Sequence, residues 1–292
     1  AGFLLGTEES HGYLVTGSIR DKDAAGASLL LAELAARLKE KGESISSYLD
    51  GIYLELGYTA THSISTVMLG AQGYLNIRSA QDQLRQQPPE QIGNRNVEDV
   101  FDHSDEDGPG GPILSDTDRM ARNILEFKLS DGARVIARPS GTEPKHKIYA
   151  EVPSPALGQE APIEALNRQK LETDEVAAKL AGDFQVEMLR RIGLELPPCA
   201  IEISDLVPLE SKQEFAGSLL PRLVSQLTSG KSAGEVEEWL DKRMEKFGSD
   251  GRLLVGGAVS AYCRQEALDP VVQESLERLF AVESSTPAEE QD

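Results

Sequence analysis

The sequence predicts an α/β segment, then an α+β domain with an antiparallel sheet, then an added helical segment at the C-terminus. Three observations support this prediction. Apolar residues recur at helical spacing before residue 56, strand signals surround an Asp-Gly turn at 131–132, and helical periodicity resumes after the proline pair at 197–198. The chain has 292 residues, enough for about two domains at roughly 150 residues each. We place the segments at 1–90, 91–196 and 197–292.

The first segment combines a short strand with helices. A strand is expected at 3–5, followed by a glycine-bounded loop at 6–13. Asp23 is expected to cap a helix that Gly42 ends, because an aspartate at this position can accept hydrogen bonds from the first turn. A second helix covers about 44–56. We expect the two helices to form a hairpin with one buried face.

The second segment follows a third predicted helix at 76–87, which ends where a pair of prolines cannot continue it. Asp-Gly is a strong signal for a hairpin turn. Strands are therefore expected at 96–101, 124–129, 133–137 and 148–152, and an amphipathic helix at 173–192. The last segment is expected to be helical over 199–281, with a disordered tail at 284–292.

Composition excludes several classes of protein. Hydrophobic residues make up 39% of the chain and charged residues 27%, which is typical of a globular protein. The net charge of −20 disfavours nucleic acid as a partner, because such a chain repels phosphate backbones. No apolar run is long enough to span a membrane. Two cysteines, Cys199 and Cys263, favour reduced thiols and a cytoplasmic protein.

The segment from Arg138 to Lys147 is the most informative one for function. It reads Arg-Pro-Ser-Gly-Thr-Glu-Pro-Lys-His-Lys, between two predicted strands. Hydroxyl groups, a glycine that frees backbone N–H groups and a planar guanidinium together suit a phosphate. The alternative is an ordinary polar loop between strands, and composition favours the phosphate site.

A second polar loop contains Glu8, Ser10 and His11. Its carboxylate can accept hydrogen bonds from vicinal hydroxyls, which is the chemistry of sugar binding, but by itself the loop is slightly more typical of a turn. Arg20 and Lys22 either lie at the start of the helix capped by Asp23 or face the same sugar-binding site as Glu8. The acidic loop at 102–107 lacks the spacing of a calcium-binding loop, so no metal site is assigned.

Together, these features resemble the α-D-phosphohexomutases, the phosphoglucomutase/phosphomannomutase family. The resemblance rests on ordered matches at 8–10, 20–23, 84–89, 97–102 and 138–144. It implies that residues 1–90 are an α/β remnant of the third mutase domain and residues 91–196 the fourth, phosphate-binding domain. The helical segment at 197–292 has no counterpart in this resemblance.

The family transfers phosphate between the C1 and C6 (or C5) oxygens of a phosphosugar, through a phosphoserine and a bisphosphate intermediate. The resemblance implies Mg²⁺ and glucose 1,6-bisphosphate as cofactors, and glucose, mannose or pentose phosphates as substrates. Sugar binding is carried over to Glu8, Ser10, Arg20 and Lys22. Phosphate binding is carried over to Arg138, Ser140, Gly141, Thr142 and Lys147.

Two family motifs have no match in this sequence: the Ser-His-Asn-Pro loop that carries the phosphoserine, and the Asp-x-Asp-x-Asp loop that binds the metal. We therefore expect no catalytic residue and no metal ligand in this chain. We expect it to be the C-terminal part of a mutase whose other domains are its partners. The alternatives are a non-catalytic phosphosugar-binding or regulatory module, and a structural protein that retains the loops as a relic.

Overall fold

The computed structural model describes residues 3–7, 12–19, 21–141, 143–204 and 206–281. The chain divides into two compact units, one formed by Ala1–Thr59 and Pro153–Thr173, the other by Ala60–Val152 and Asp174–Asp292. The domain boundaries at residues 90 and 196 stay predictions. The predicted tail at 284–292 lies outside the described residues.

The first unit contains two short antiparallel strands and two helices. Strand β1 is Gly6–Thr7 and β2 is Tyr13–Leu14, so the predicted strand at 3–5 is wrong. Helix α1 is Ala24–Glu40 and α2 is Ile45–Leu56. The predicted cap is confirmed, since the Asp23 carboxylate accepts a hydrogen bond from the Gly26 N–H at 3.0 Å. This bond satisfies one of the unpaired donors of the first turn.

The predicted buried face of the helix pair is wrong for most of its members. Leu38 in α1 and Leu54 in α2 are buried, but Leu30 and Leu31 are 52% and 53% exposed. A helix buries its apolar stripe only against another packed element. The described residues of this unit supply no sheet face on which those leucines pack.

A close backbone contact joins α2 to the segment at 153–173 within the same unit. The Ser154 N–H donates to the Tyr58 carbonyl at 2.7 Å, and the Lys170 ammonium lies 2.6 Å from Asp50. Gly57 has a φ of +92°, and a Cβ there would lie 2.2 Å from the Ser154 carbonyl oxygen. Only glycine fits this position without strain.

The second unit is built on a six-stranded sheet with the order β3-β8-β7-β6-β5-β4, which confirms the predicted α+β domain. Adjacent strands from β4 to β8 pair antiparallel. The strands are β3 Thr59–Val67, β4 Gln91–Ile92, β5 Arg95–Asp102, β6 Leu125–Leu129, β7 Arg134–Pro139 and β8 Lys145–Pro153. Strand β3 was not predicted.

Helices cover one face of this sheet. Helix α3 is Gly70–Gln86 and α5 is Ile163–Arg191, and both begin earlier than their apolar periodicity indicates. The rings of Phe127 in β6 and Phe184 in α5 are 5.2 Å apart in the core. The short helix α4, Asp116–Ala121, lies between β5 and β6 in the chain.

The C-terminal segment is helical, as predicted. Its core includes Phe215, whose ring lies 5.9 Å from those of Phe247 and Phe280. No helix among the described residues is long and apolar enough to cross a membrane. The helices are α6 Leu209–Glu214, α7 Leu220–Thr228, α8 Ala233–Met244, α9 Gly251–Gln265 and α10 Pro270–Phe280, with a π-helical turn at Phe215–Leu219 between α6 and α7.

Candidate functional site

The candidate phosphate site is the loop that joins β7 to β8. Arg138 and Lys147 are opposite one another in the pairing of the two strands, so their side chains share one face of the sheet. Lys145 lies on the same face, two positions along β8. Within the described part of the chain, Arg138 forms no ion pair or side-chain hydrogen bond. The arrangement places three cations together at one end of the hairpin.

Hydrogen bonds hold the loop backbone in place. The Ser140 N–H donates to the Lys145 carbonyl at 2.7 Å, and the Ser140 hydroxyl accepts from the Glu143 N–H at 3.2 Å. The Pro144 carbonyl accepts from the Met68 N–H at 3.0 Å, which fixes the loop to the residues that precede α3. The loop is therefore preorganised by its own backbone.

A cavity of about 370 Å³, which we call the loop cavity, lies against this segment. Arg138, Lys145 and Lys147 line it, together with Gly141 and the carboxylate of Glu143. The three cations outnumber the one carboxylate, so the cavity is suited to an anion despite the acidic chain as a whole.

A buried amide supports the loop from below. The Gln81 side chain on α3 donates to the Ala137 carbonyl at 3.4 Å, and its Oε1 lies 3.0 Å from Nε2 of His146. This amide orientation assigns the imidazole proton to Nε2 of His146. Gln81 thereby contacts both strands that flank the loop. Burial lowers the pKa of His146 to about 4, so the ring is neutral at pH 7.

A second polar network continues from Gln81 along α3. The Arg85 guanidinium donates to Asp102 at 2.6 Å and to Asn123 at 2.7 Å. Ser104 donates its hydroxyl to the same Asp102 carboxylate at 2.6 Å. Burial raises the pKa of Asp102, but the hydrogen bonds from Arg85 and Ser104 outweigh it, and the pKa lies below its usual value.

This network forms part of the wall of a larger cavity of about 510 Å³, which we call the α3 cavity. Two cations that the sequence did not single out, Arg78 on α3 and Arg119 on α4, line it together with Ser140 and Gly141. Arg78 precedes Asp82 by one helical turn, a spacing typical of a surface ion pair. That spacing is why the sequence alone gave no functional signal there.

The predicted sugar-binding residues are less completely described. Glu8, Ser10 and Arg20 lie outside the described residues, as does Thr142 of the phosphate loop. Lys22 is exposed in the first unit, where its aliphatic chain lies against Gly12.

No metal ligand set is present in the part of the chain that the structure describes. There, no group of three or more His, Cys, Asp or Glu side chains is arranged to hold a metal ion. The carboxylate of Asp102 in the acidic loop is instead taken up by Arg85 and Ser104. The described residues thus do not form a site for the Mg²⁺ that the resemblance implies for the family.

The antiparallel sheet and its covering helices define an α+β domain that carries a cation-lined loop at one end of the β7–β8 hairpin. The family model described as "Phosphoglucomutase/phosphomannomutase, C-terminal domain" matches residues 92–165. These comparisons support membership of the phosphohexomutase family for the matched part of the chain.

Two relatives illustrate the extent of the similarity. A probable phosphomannomutase of Haemophilus influenzae is 36% identical over 152 residues, which cover 52% of this chain and 28% of the relative. A phosphoglucomutase of Staphylococcus aureus is 31% identical over 154 residues, with the same coverage of 52% and 28%. This chain therefore spans little more than a quarter of the length of these relatives.

Among solved structures, the phosphoglucomutase pp63/parafusin of Paramecium, an exocytosis-sensitive phosphoprotein, aligns in its open form with a TM-score of 0.41 and 18% identity. The alignment covers 66% of this chain and 32% of that one. The likeness is too remote to support an argument about function.

Proposed function

We propose that this chain is the C-terminal part of a phosphohexomutase and that the loop cavity binds the non-reacting phosphate group of a phosphosugar. The observation that supports the proposal is the grouping of Arg138, Lys145 and Lys147 around one cavity. Arg138 has no intramolecular ion pair in the described residues, so its guanidinium is available for a ligand. A guanidinium matches two phosphate oxygens in a bidentate geometry.

The contribution of such a site to a mutase is orientation. Binding energy from a phosphate that does not react holds the sugar in place and lowers the entropic part of the barrier. Glu8 and Ser10, with Arg20 and Lys22, are proposed to accept and donate hydrogen bonds to the sugar hydroxyls. Paired hydroxyl contacts suit a sugar that must bind in two orientations, with phosphate moving between C1 and C6 (or C5).

The proposal also covers Ser140, Gly141, Thr142 and Lys147 as phosphate ligands. A side chain at position 141 would meet the Met120 methyl group at 2.5 Å, so glycine keeps the loop close to α4. The N–H groups of such a turn are well suited to an anion. In this reaction class the phosphoserine, Mg²⁺ and the remaining domains are proposed as partners of this chain.

The test is to measure glucose 6-phosphate binding by the full chain and by Arg138→Gln. We expect affinity to fall about ten- to a hundredfold, since a hydrogen bond to a charged group is worth about 1.5–3 kcal/mol. Arg134→Gln is the matched control, because Arg134 lies on the same strand but pairs with Glu151 at 2.5 Å and with Glu126 at 3.4 Å. Equal affinities of wild type and Arg138→Gln, or equal losses in both variants, would overturn the assignment.

A further inference from the structure

The loop cavity and the α3 cavity share a wall. Both are lined by Met120, Pro139, Ser140 and Gly141. One side of this wall has the loop cations Arg138, Lys145 and Lys147. The other side has three arginines, Arg78, Arg85 and Arg119, and one carboxylate, Asp82. In a chain with a net charge of −20, two adjacent cavities that are both rich in cations call for a common explanation.

The three arginines of the α3 cavity differ in their availability. Arg85 is committed to Asp102 at 2.6 Å and Asn123 at 2.7 Å, and its side chain is 28% exposed. Arg78 and Arg119 are 74% and 63% exposed, and within the described part of the chain each has an ion pair only at 3.9 Å, with Asp82 and Glu106 respectively. Arg85 is part of the wall, whereas Arg78 and Arg119 can turn toward a ligand.

The long ion pairs do not compete strongly with a ligand. Exposed pairs of this kind contribute about 0–1 kcal/mol to stability. Charge-assisted hydrogen bonds between arginine and phosphate are shorter and about twice as strong as neutral ones, and they are often bidentate. A phosphate group in the cavity would therefore displace the two carboxylates from Arg78 and Arg119.

The other walls suit a small polar ligand. Tyr74 lies one helical turn before Arg78 on α3, so their side chains project from the same face. Tyr74 and Met120 are each 51% exposed, and both line the cavity together with Ser140. The cavity thus offers an aromatic ring, a thioether and a serine beside the two guanidinium groups.

We propose that the α3 cavity is a second phosphate-binding site, formed by Arg78 and Arg119 and separated from the loop cavity by the 139–141 backbone. The inference rests on the proposed function for the loop cavity and extends it. Two separate phosphates would each carry the cost of association, whereas a ligand whose two phosphate groups reach both cavities would bind the second one without that cost.

The test is to follow backbone amide signals of the full chain by NMR during titration with inorganic phosphate. We expect two sets of shifts, one around Lys145 and Lys147, which line only the loop cavity, and one around Tyr74 and Arg78, which line only the α3 cavity. The double variant Arg78→Gln/Arg119→Gln should weaken the α3 response at least tenfold and preserve the loop response. Arg222→Gln, an exposed arginine on α7, is the control and should change neither.

The outcomes separate the two proposals. Loss of the loop response alone in Arg138→Gln, with the α3 response retained, supports two sites. Loss of both responses in Arg138→Gln, or an α3 response that survives in the double variant, overturns the second site. An α3 response without any loop response in wild type overturns the proposed function of the loop but not this inference.

Competition distinguishes the source of the second phosphate. If one molecule of glucose 1,6-bisphosphate per chain displaces phosphate from both sites, a single ligand with two phosphate groups occupies both cavities. Displacement at two molecules per chain identifies two separate anions, and both results require the second site. If both the bisphosphate and glucose 6-phosphate displace phosphate from the loop cavity alone, the proposed second site is overturned.

Discussion

The buried ring of His146 predicts a loss of stability in mild acid. Its Nε2 proton is donated to Gln81 at 3.0 Å, while Nδ1 has no hydrogen-bond partner among the described residues. Protonation would place a charge and an unsatisfied N–H in a fully buried position. This is the physical reason that the pKa falls from 6.5 to about 4. The folded protein therefore resists protonation at a pH where the unfolded chain accepts it.

The sign and size follow from linkage. Below about pH 6.5 the unfolded state binds a proton on this histidine and the folded state does not, so stability falls as the pH decreases toward 4. Because each pKa unit is worth about 1.4 kcal/mol, the full loss is about 3 kcal/mol, and about 2 kcal/mol of it falls between pH 7 and pH 5. The contribution becomes constant only well below pH 4, where the ring is protonated in both states.

The assay is urea unfolding of wild type and His146→Leu across this range of pH. Carboxylates titrate in both proteins, so the difference between the two curves isolates the histidine. We expect wild type to lose about 2 kcal/mol more than the variant between pH 7 and pH 5. Parallel curves would refute the reasoning, because they would mean that the ring is protonated or solvated in the folded protein.

Two further predictions concern hydrogen bonding and backbone strain. Gln81→Leu leaves the His146 N–H without an acceptor and should lower the free energy of unfolding by about 1–3 kcal/mol at pH 7. The double variant Gln81→Leu/His146→Leu removes both partners and should recover part of that loss in urea unfolding. A double variant less stable than either single one would contradict the pairing. Gly57→Ala should destabilise the protein by more than about 1 kcal/mol, because its φ is +92° and its Cβ would lie 2.2 Å from the Ser154 oxygen. Gly51→Ala in α2, which meets nothing within 4 Å, should instead be neutral or stabilising in the same thermal melt.

Local signals were sufficient for much of the second unit. The Asp-Gly turn at 131–132 correctly predicted the hairpin of β6 and β7, because turn chemistry fixes the strands on either side of it. Strand β3 was missed although Ala60 and Ile64 alternate with exposed residues. Its partner β8 is distant in sequence, and no turn joins the two strands to mark the pairing.

The candidate site was predictable only in part. Arg138 and Lys147 were selected because the composition of one loop suits a phosphate. Arg78 and Arg119 were not, because each follows an ordinary surface pattern and the cavity between them exists only after α3 and α4 pack beside the loop. The spacing of residues along the sequence does not show that the side chains of Arg78 and Arg119 line the same cavity.

Strand β8 links these features physically. Alternation along a strand sends successive side chains to opposite faces, so Lys145 and Lys147 line the loop cavity while His146 is buried on the other face. His146 contacts Gln81, and the helix that carries Gln81 also carries Arg78 into the α3 cavity. One strand thus supplies cations to the first cavity and anchors the helix of the second. Substitutions at Gln81 should therefore alter phosphate affinity at both cavities, whereas substitutions at Arg78 should alter only one.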